Sequence, residues 1–135
     1  MKRLLSTAYT DFSFNLATFA LRLSLGILMI PHGYDKLVKF AQYKKDFMNF
    51  LGMGSTLSLA LVIFAEFFCS VFLIMGLFTR VVVSILLIEM LVVVVKAHNA
   101  EIFGTGEHGS LFLAGFLAIL LVGPGKASLD GILGK

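Results

Sequence analysis

The sequence predicts an all-α integral membrane protein. The expected fold is a four-helix transmembrane bundle with an interfacial amphipathic helix between the first and second spans, and residues 1–135 form this single domain. Composition is the first indication, because 59% of the residues are hydrophobic and 14% are charged, whereas soluble domains average about 45–50% and about 25%. Mean hydropathy is +0.97. Four apolar runs also approach the roughly 20 residues that cross a hydrocarbon core.

The first predicted span covers residues 14–31, FNLATFALRLSLGILMIP. Lys2 and Arg3 provide a charged start, but the apolar run begins more than ten residues later and no small-residue cleavage site follows it, so we expect a retained helix rather than a signal peptide. Proline disfavours helix at the preceding residue, and Pro31 is followed two residues on by Gly33. We therefore expect the chain to bend at this point.

The stretch 37–51, LVKFAQYKKDFMNFL, has a different character. Its apolar residues recur with the three- and four-residue spacing of one helical face, and its lysines fall elsewhere. This pattern predicts an amphipathic helix that lies at the membrane surface or packs over the mouth of the bundle.

The remaining spans are predicted at about 57–78, 80–97 and 107–123. The short connection at Thr79 and Arg80 makes the second and third spans an antiparallel hairpin. Gly26 and Gly115 are candidates for close approach between helices, because small residues allow it. A soluble helix bundle is the alternative, but residues 81–95 contain almost no polar side chain beyond Ser84 and Glu89, and a helix that is apolar all round is typical of a membrane.

Charge and cysteine content exclude several function classes. The formal net charge is +3 and the cations lie mostly outside the apolar runs, which suits lipid headgroups rather than nucleic acid. Cys69 is the single cysteine, so an internal disulfide and a CxxC redox pair are impossible. Four spans place both termini on one side, and each side then carries five Lys or Arg residues, so the positive-inside rule does not fix the orientation.

Three ionisable residues interrupt the apolar runs, namely Arg22, Glu66 and Glu89. Charged side chains inside a membrane face the bundle interior or water and pair with one another. We therefore expect Arg22 to pair with Glu66, with Glu89 or with both, and the charge left over requires a proton or another cation. This polar cluster is either a structural ion pair or a binding site for a proton-coupled ligand.

A second cluster follows from topology. The end of the first span and the loop between the third and fourth spans reach the same face, which brings together His32, Lys36, His98 and Glu107. A polar entrance to the bundle and a set of solvated loop residues are both compatible with this placement. The spacing matches no metal-site pattern, and we expect no metal.

The order of motifs resembles the DoxX family of small membrane proteins. The matching stretches are LRLSLGILMIPHGYDKL at 21–37, AEFFCSVFLIMGLFTR at 65–80, KAHN at 96–99, and GEHGSLFL through GPGKASLD at 106–130. The resemblance places recurrent polar positions of the family at Arg22, His32, Gly33, Lys36, Glu66, Arg80, His98, Glu107, Ser128 and Asp130. Glu89 is not among them.

The resemblance implies a multi-pass protein of the cell (cytoplasmic) membrane with links to membrane redox complexes. Our first hypothesis is a subunit that associates with an oxidoreductase and binds a quinone, the possible cofactor, through the Arg22 and glutamate cluster. The alternatives are a non-enzymatic assembly factor or receptor for a partner protein, and a small-solute transporter. The chain contains no complete catalytic constellation. Expected partners are the lipid bilayer, a membrane or redox protein and possible further copies of the chain, but not nucleic acid.

Overall fold

The computed structural model describes residues 4–46, 54–97 and 107–134, and within these ranges the regular structure is helical, without a strand. The described residues form six helical segments. They are α1 (Asp11–Val38), α2 (Phe40–Asp46), α3 (Ser55–Ile63, a π-helical turn Phe64–Cys69 and Ser70–Met75), α4 (Thr79–Val92 and a π-helical turn Val93–Ala97), α5 (Glu107–Val122) and α6 (Leu129–Ile132).

Helix α1 is 28 residues long and begins at an N-cap, where the side chain of Thr10 accepts a hydrogen bond from the backbone N–H of Ser13. It ends at Val38, so the expected change from the spanning helix to the interfacial helix does not occur at Pro31. Proline removes one backbone donor, but neighbouring helices make such a position tolerable within an apolar bundle. The helix therefore continues for seven residues past Pro31, and Lys36 lies in its last turn.

Helix α2 falls inside the stretch predicted as amphipathic, and it packs against α1 and α3. The rest of that stretch, 47–51, lies outside the described residues. The location of this helix at a membrane surface stays a prediction.

The other helices lie close to their predicted ranges. Helix α3 ends at Met75 rather than at residue 78, because Gly76 adopts a left-handed conformation with φ 71°. The N–H of Gly76 bonds to the carbonyl of Leu73, and the N–H of Leu77 bonds to the carbonyl of Phe72. This pattern is a Schellman C-cap, in which glycine carries the positive φ at least cost.

Two helices, Asp11–Val38 and Ser55–Met75, are long and apolar enough to cross a membrane, and Gly109–Val122 is a shorter apolar helix. Helix α1 packs along α3, and α4 packs along α5. The shared core includes Met29, Cys69, Leu73, Leu86 and Phe116, none of which is more than 1% exposed.

The close approach predicted at two glycines is confirmed. A Cβ atom on Gly26 would lie 3.0 Å from the backbone oxygen of Ser70, and one on Gly115 would lie 2.8 Å from Leu25 Cδ1. Glycine therefore sets the distance of α1 from both α3 and α5.

Candidate functional site

Arg22 is almost fully buried, with 1% of its surface exposed, but it does not pair with Glu66 or Glu89. Its Nη1 donates to the carbonyls of Leu73 at 3.3 Å and Ile74 at 3.2 Å. Its Nη2 donates to the carbonyl of Ala127. The predicted ion pair is wrong because the end of α3 lies beside Arg22.

The backbone carbonyls in the last turn of a helix have no partner within that helix. Arg22 supplies donors for two of them and ties them to the segment before α6. The chain leaves little room there, because a Cβ atom on Gly76 would lie 2.5 Å from Arg22 Nη1. The guanidinium also lies 5.6 Å from the centre of the Phe19 ring. Arg22 therefore ties the end of α3 to the segment before α6, and we call this set of contacts the junction.

Asp130 adds a negative charge to this junction. Its Oδ1 accepts from the N–H of Phe78 at 2.9 Å, and its Oδ2 accepts from the N–H of Thr79 at 2.8 Å. Asp130 thereby caps the N-terminus of α4, and its charge also acts favourably on Arg22. The cap supports the left-handed conformation of Phe78, which has φ 50°.

Sequence reasoning missed the role of Asp130, although the necessary signal was present. With an even number of spans, the end of the chain lies on the same face as the connection between α3 and α4. The same argument that collected the histidines would have placed Asp130 beside Gly76 and Thr79.

The partner of Glu66 is Lys36. Their Nζ and Oε2 atoms are 2.6 Å apart, with side chains 19% and 4% exposed respectively. Glycine at position 33 makes this contact possible, because a Cβ atom there would lie 2.7 Å from the backbone nitrogen of Phe67 and 2.9 Å from the carbonyl carbon of Glu66. Glu66 lies in the π-helical turn of α3, and such turns occur frequently at functional sites.

Glu89 lies on the neighbouring helix α4, and both of its carboxylate oxygens are buried without a hydrogen-bond partner among the described residues. The charged groups close enough to influence it are Glu66 and Lys36. The structure thus brings two of the predicted residues, Glu66 and Glu89, into one polar group with Lys36. Arg22 belongs to the separate junction.

A cavity of about 330 Å³ opens between α3 and α4 beside this group. Its walls are almost entirely apolar. The lining residues are Ser58, Leu61, Val62, Phe64, Ala65, Ile85, Ile88, Glu89, Val92 and Val93. We call this cavity the α3–α4 groove.

The predicted entrance cluster is described only in part. His32 is exposed and meets the ring of Phe112 edge-on, with 6.2 Å between ring centres, whereas Lys36 turns inward to Glu66. His98 and the side chain of Glu107 lie outside the described residues. Within the described ranges, no three His, Cys, Asp or Glu side chains come together as a metal site.

A tyrosine beside α1 extends the polar group towards the surface. The hydroxyl of Tyr43 donates to Asp35 Oδ2 at 2.5 Å, and Lys39 Nζ lies 3.0 Å from Asp35 Oδ1. The hydrogen bond to Asp35 raises the pKa of Tyr43. Sequence reasoning did not identify this pair.

Comparison with known proteins agrees with the family suggested by the motifs. The DoxX family model matches residues 17–99, which is more than half of the chain. No curated protein and no solved structure matches it. The matched range contains Arg22, Lys36, Glu66 and Glu89 but ends before Asp130. The chain therefore belongs to the DoxX family of small membrane proteins, which contact the lipid bilayer.

Proposed function

We propose that this DoxX protein is a four-span protein of the cytoplasmic membrane that binds a quinone or a similar lipid-soluble ligand in the α3–α4 groove. In this proposal it serves as a membrane subunit for a partner oxidoreductase, which supplies the electrons. The observation that carries the proposal is Glu89, whose two carboxylate oxygens are buried in the wall of an apolar groove and receive no hydrogen bond from a donor among the described residues.

The groove has the size and lining expected for such a ligand. Its volume of about 330 Å³ lies at the lower end of the roughly 300–1,000 Å³ typical of small-molecule sites. Such sites are mainly apolar and contain few polar groups, which orient the ligand. Exposed Phe64 and Ile88 border the groove on the outer surface of the helices, where an isoprenoid tail would lie against lipid.

The charges of the polar group favour a ligand that takes part in hydrogen bonding. Lys36 offsets only one of the two carboxylates, Glu66 and Glu89. An unbalanced charge is costly in a dry interior. Because Lys36 already offsets Glu66, a proton held on Glu89 would restore neutrality. A protonated carboxyl group has an O–H donor, which suits the carbonyl oxygen of a quinone ring.

The partner oxidoreductase is inferred from the DoxX resemblance, whereas the binding site is inferred from the geometry. Cys69, the single cysteine, is buried in the core. Buried structural cysteines are inert. The proposal therefore assigns the electron-transfer chemistry to the partner and the ligand-holding role to this chain.

The test is mass spectrometry of organic extracts from the purified, detergent-solubilised protein. The two informative variants are Glu89→Leu, which removes the polar group, and Ile88→Trp, which fills the outer side of the groove. Ile27→Trp is the matched control, since Ile27 is an exposed isoleucine on α1. We expect a quinone in the wild-type and Ile27→Trp extracts and its loss from the other two.

Bulk lipid alone in every extract would overturn the quinone proposal. Equal amounts of quinone in the wild-type and Ile88→Trp extracts would show that the ligand binds outside the α3–α4 groove. A protein that co-purifies with the wild type, without any quinone, would instead support a receptor or assembly factor.

A further inference from the structure

We propose that the end of the bundle carrying both termini contains a second site, which binds a phosphate group through Arg80 and Lys126. The structure forms a cavity of about 560 Å³ there, distinct from the α3–α4 groove. Its walls come from the start of α1, the start of α4 and the loop after α5. The polar and charged side chains among the lining residues are Tyr9, Asp11, Asn15, Arg80 and Lys126.

The two cations of this cavity have no carboxylate within ion-pair distance among the described residues. In the described part of the chain, the side-chain hydrogen bonds that involve these residues use their backbones. Ser84 Oγ donates to the carbonyl of Arg80, and the N–H of Lys126 donates to Asn15 Oδ1. Both charged ends are therefore available to a ligand. Asp11 supplies one negative charge, so the lining keeps a net charge of +1.

The loop after α5 passes close to the guanidinium of Arg80 in the wall of the cavity. Gly123 has φ 85°, and a Cβ atom added there would lie 3.2 Å from Arg80 Nη2. The left-handed conformation and the lack of a side chain allow the loop to pass close to Arg80. The hydrogen bond of 2.9 Å from Lys126 N–H to Asn15 fixes the loop over the first helix. The cavity is thus held by contacts that do not involve the two charged groups.

Phosphate is the anion that this pair of side chains fits. An arginine fork binds two phosphate oxygens at once, and a lysine adds a point charge. Val122 in the cavity wall is an exposed apolar residue, 44% exposed, and would contact acyl chains. Basic pockets at the ends of transmembrane helices bind lipid headgroups in this manner. The phosphate of an anionic phospholipid and a free phosphate share this chemistry.

Native mass spectrometry of the full-length protein in neutral detergent tests the proposal. Phosphatidylglycerol, phosphatidylcholine and inorganic phosphate are the three probes. The variants are Arg80→Gln and Lys126→Gln, and the control is Lys44→Gln with Lys45→Gln, two exposed lysines on α2. We expect phosphatidylglycerol to bind the wild type and the control equally, and each cavity variant to lose roughly tenfold in affinity.

The probes also identify the source of the phosphate. Displacement of phosphatidylglycerol by millimolar inorganic phosphate would support a site for free phosphate, whereas retention of the lipid would support a headgroup site. Equal binding of phosphatidylglycerol and phosphatidylcholine, or unchanged binding in both cavity variants, would overturn the proposal. Circular dichroism of each variant confirms that the fold is intact before the affinities are compared.

Discussion

At the scale of single residues, a permanent cation inside an apolar helix needs polar contacts to offset its lost hydration. Arg22 finds these contacts on the backbone, at the carbonyls of Leu73, Ile74 and Ala127. One side chain thus compensates the loss of hydration and also satisfies helix-end carbonyls that would otherwise lack donors. Asp130 balances the charge from the neighbouring helix start.

This arrangement predicts a specific pattern of energetic coupling. Arg22→Leu removes the donors that satisfy the carbonyls of Leu73, Ile74 and Ala127. Because each buried polar group left unsatisfied costs about 1–3 kcal/mol, we expect a loss of roughly 3–5 kcal/mol in unfolding free energy. The measurement is SDS-induced unfolding in mixed micelles, followed by circular dichroism. This signal suits a chain that has no tryptophan.

Double mutants separate the two possible partners of Arg22. Arg22→Leu combined with Asp130→Asn should cost less than the sum of the single losses, whereas Arg22→Leu combined with Glu66→Gln should be additive to within about 0.5 kcal/mol. Coupling to Glu66 and additivity with Asp130 would show that the junction is wrongly assigned.

The sequence could predict which residues are unusual, but not their partners. Arg22, Glu66 and Glu89 stand out because each interrupts an apolar run. Their pairing depends on how far the helices are shifted relative to one another along their axes. The order and length of the apolar runs do not specify this shift. Gly33 lies level with Glu66, and this offset brings Lys36 rather than Arg22 to that carboxylate.

At the scale of helices, the contact between α1 and α3 depends on two glycines that lie on the same face of α1. Gly26 and Gly33 are separated by seven residues, or two helical turns, so both face α3. The sequence predicted the close approach at Gly26 from its size alone. It did not predict that α1 continues past Pro31, because local propensity is overridden when packing supports the next turn.

Gly33→Ala tests whether this contact sets the Lys36–Glu66 pair. The new Cβ atom would meet the backbone of α3, which cannot move as a side chain can, so the two helices must separate. We expect a destabilisation of about 1–3 kcal/mol, the usual cost of overpacking. Gly109→Ala is the comparison, since its Cβ atom would meet a side-chain atom, Val94 Cγ2 at 2.8 Å, rather than the backbone of a neighbouring helix. The same SDS unfolding assay applies, and an equal effect of the two substitutions would contradict this account.

At the scale of the whole molecule, polar contacts concentrate at two heights of an otherwise apolar bundle. The junction of Arg22 and Asp130 fastens the end that carries both termini, where the cavity of Arg80 and Lys126 also lies. The group formed by Lys36, Glu66 and Glu89 lies further along α1, towards its C-terminal end, beside the α3–α4 groove. The first ties loops to helix ends, although Arg22 Nε has no partner among the described residues. In the second, no donor within the described part of the chain reaches the two carboxylate oxygens of Glu89. We therefore propose a structural role for the first group and a ligand-binding role for the second.

This division depends on a topology with both termini on one side of the membrane. Single cysteines introduced in a Cys69→Ser background report the side directly, through a maleimide that does not cross the membrane. Ser6→Cys and Leu133→Cys represent the two terminal segments, and Lys44→Cys represents the opposite end, all at exposed positions. Four crossings require that the first two react from one side of the membrane and the third from the other. Reaction of Ser6→Cys and Leu133→Cys from opposite sides would mean an odd number of crossings. Asp130 would then be separated from the start of α4, and the contact that caps that helix would be impossible.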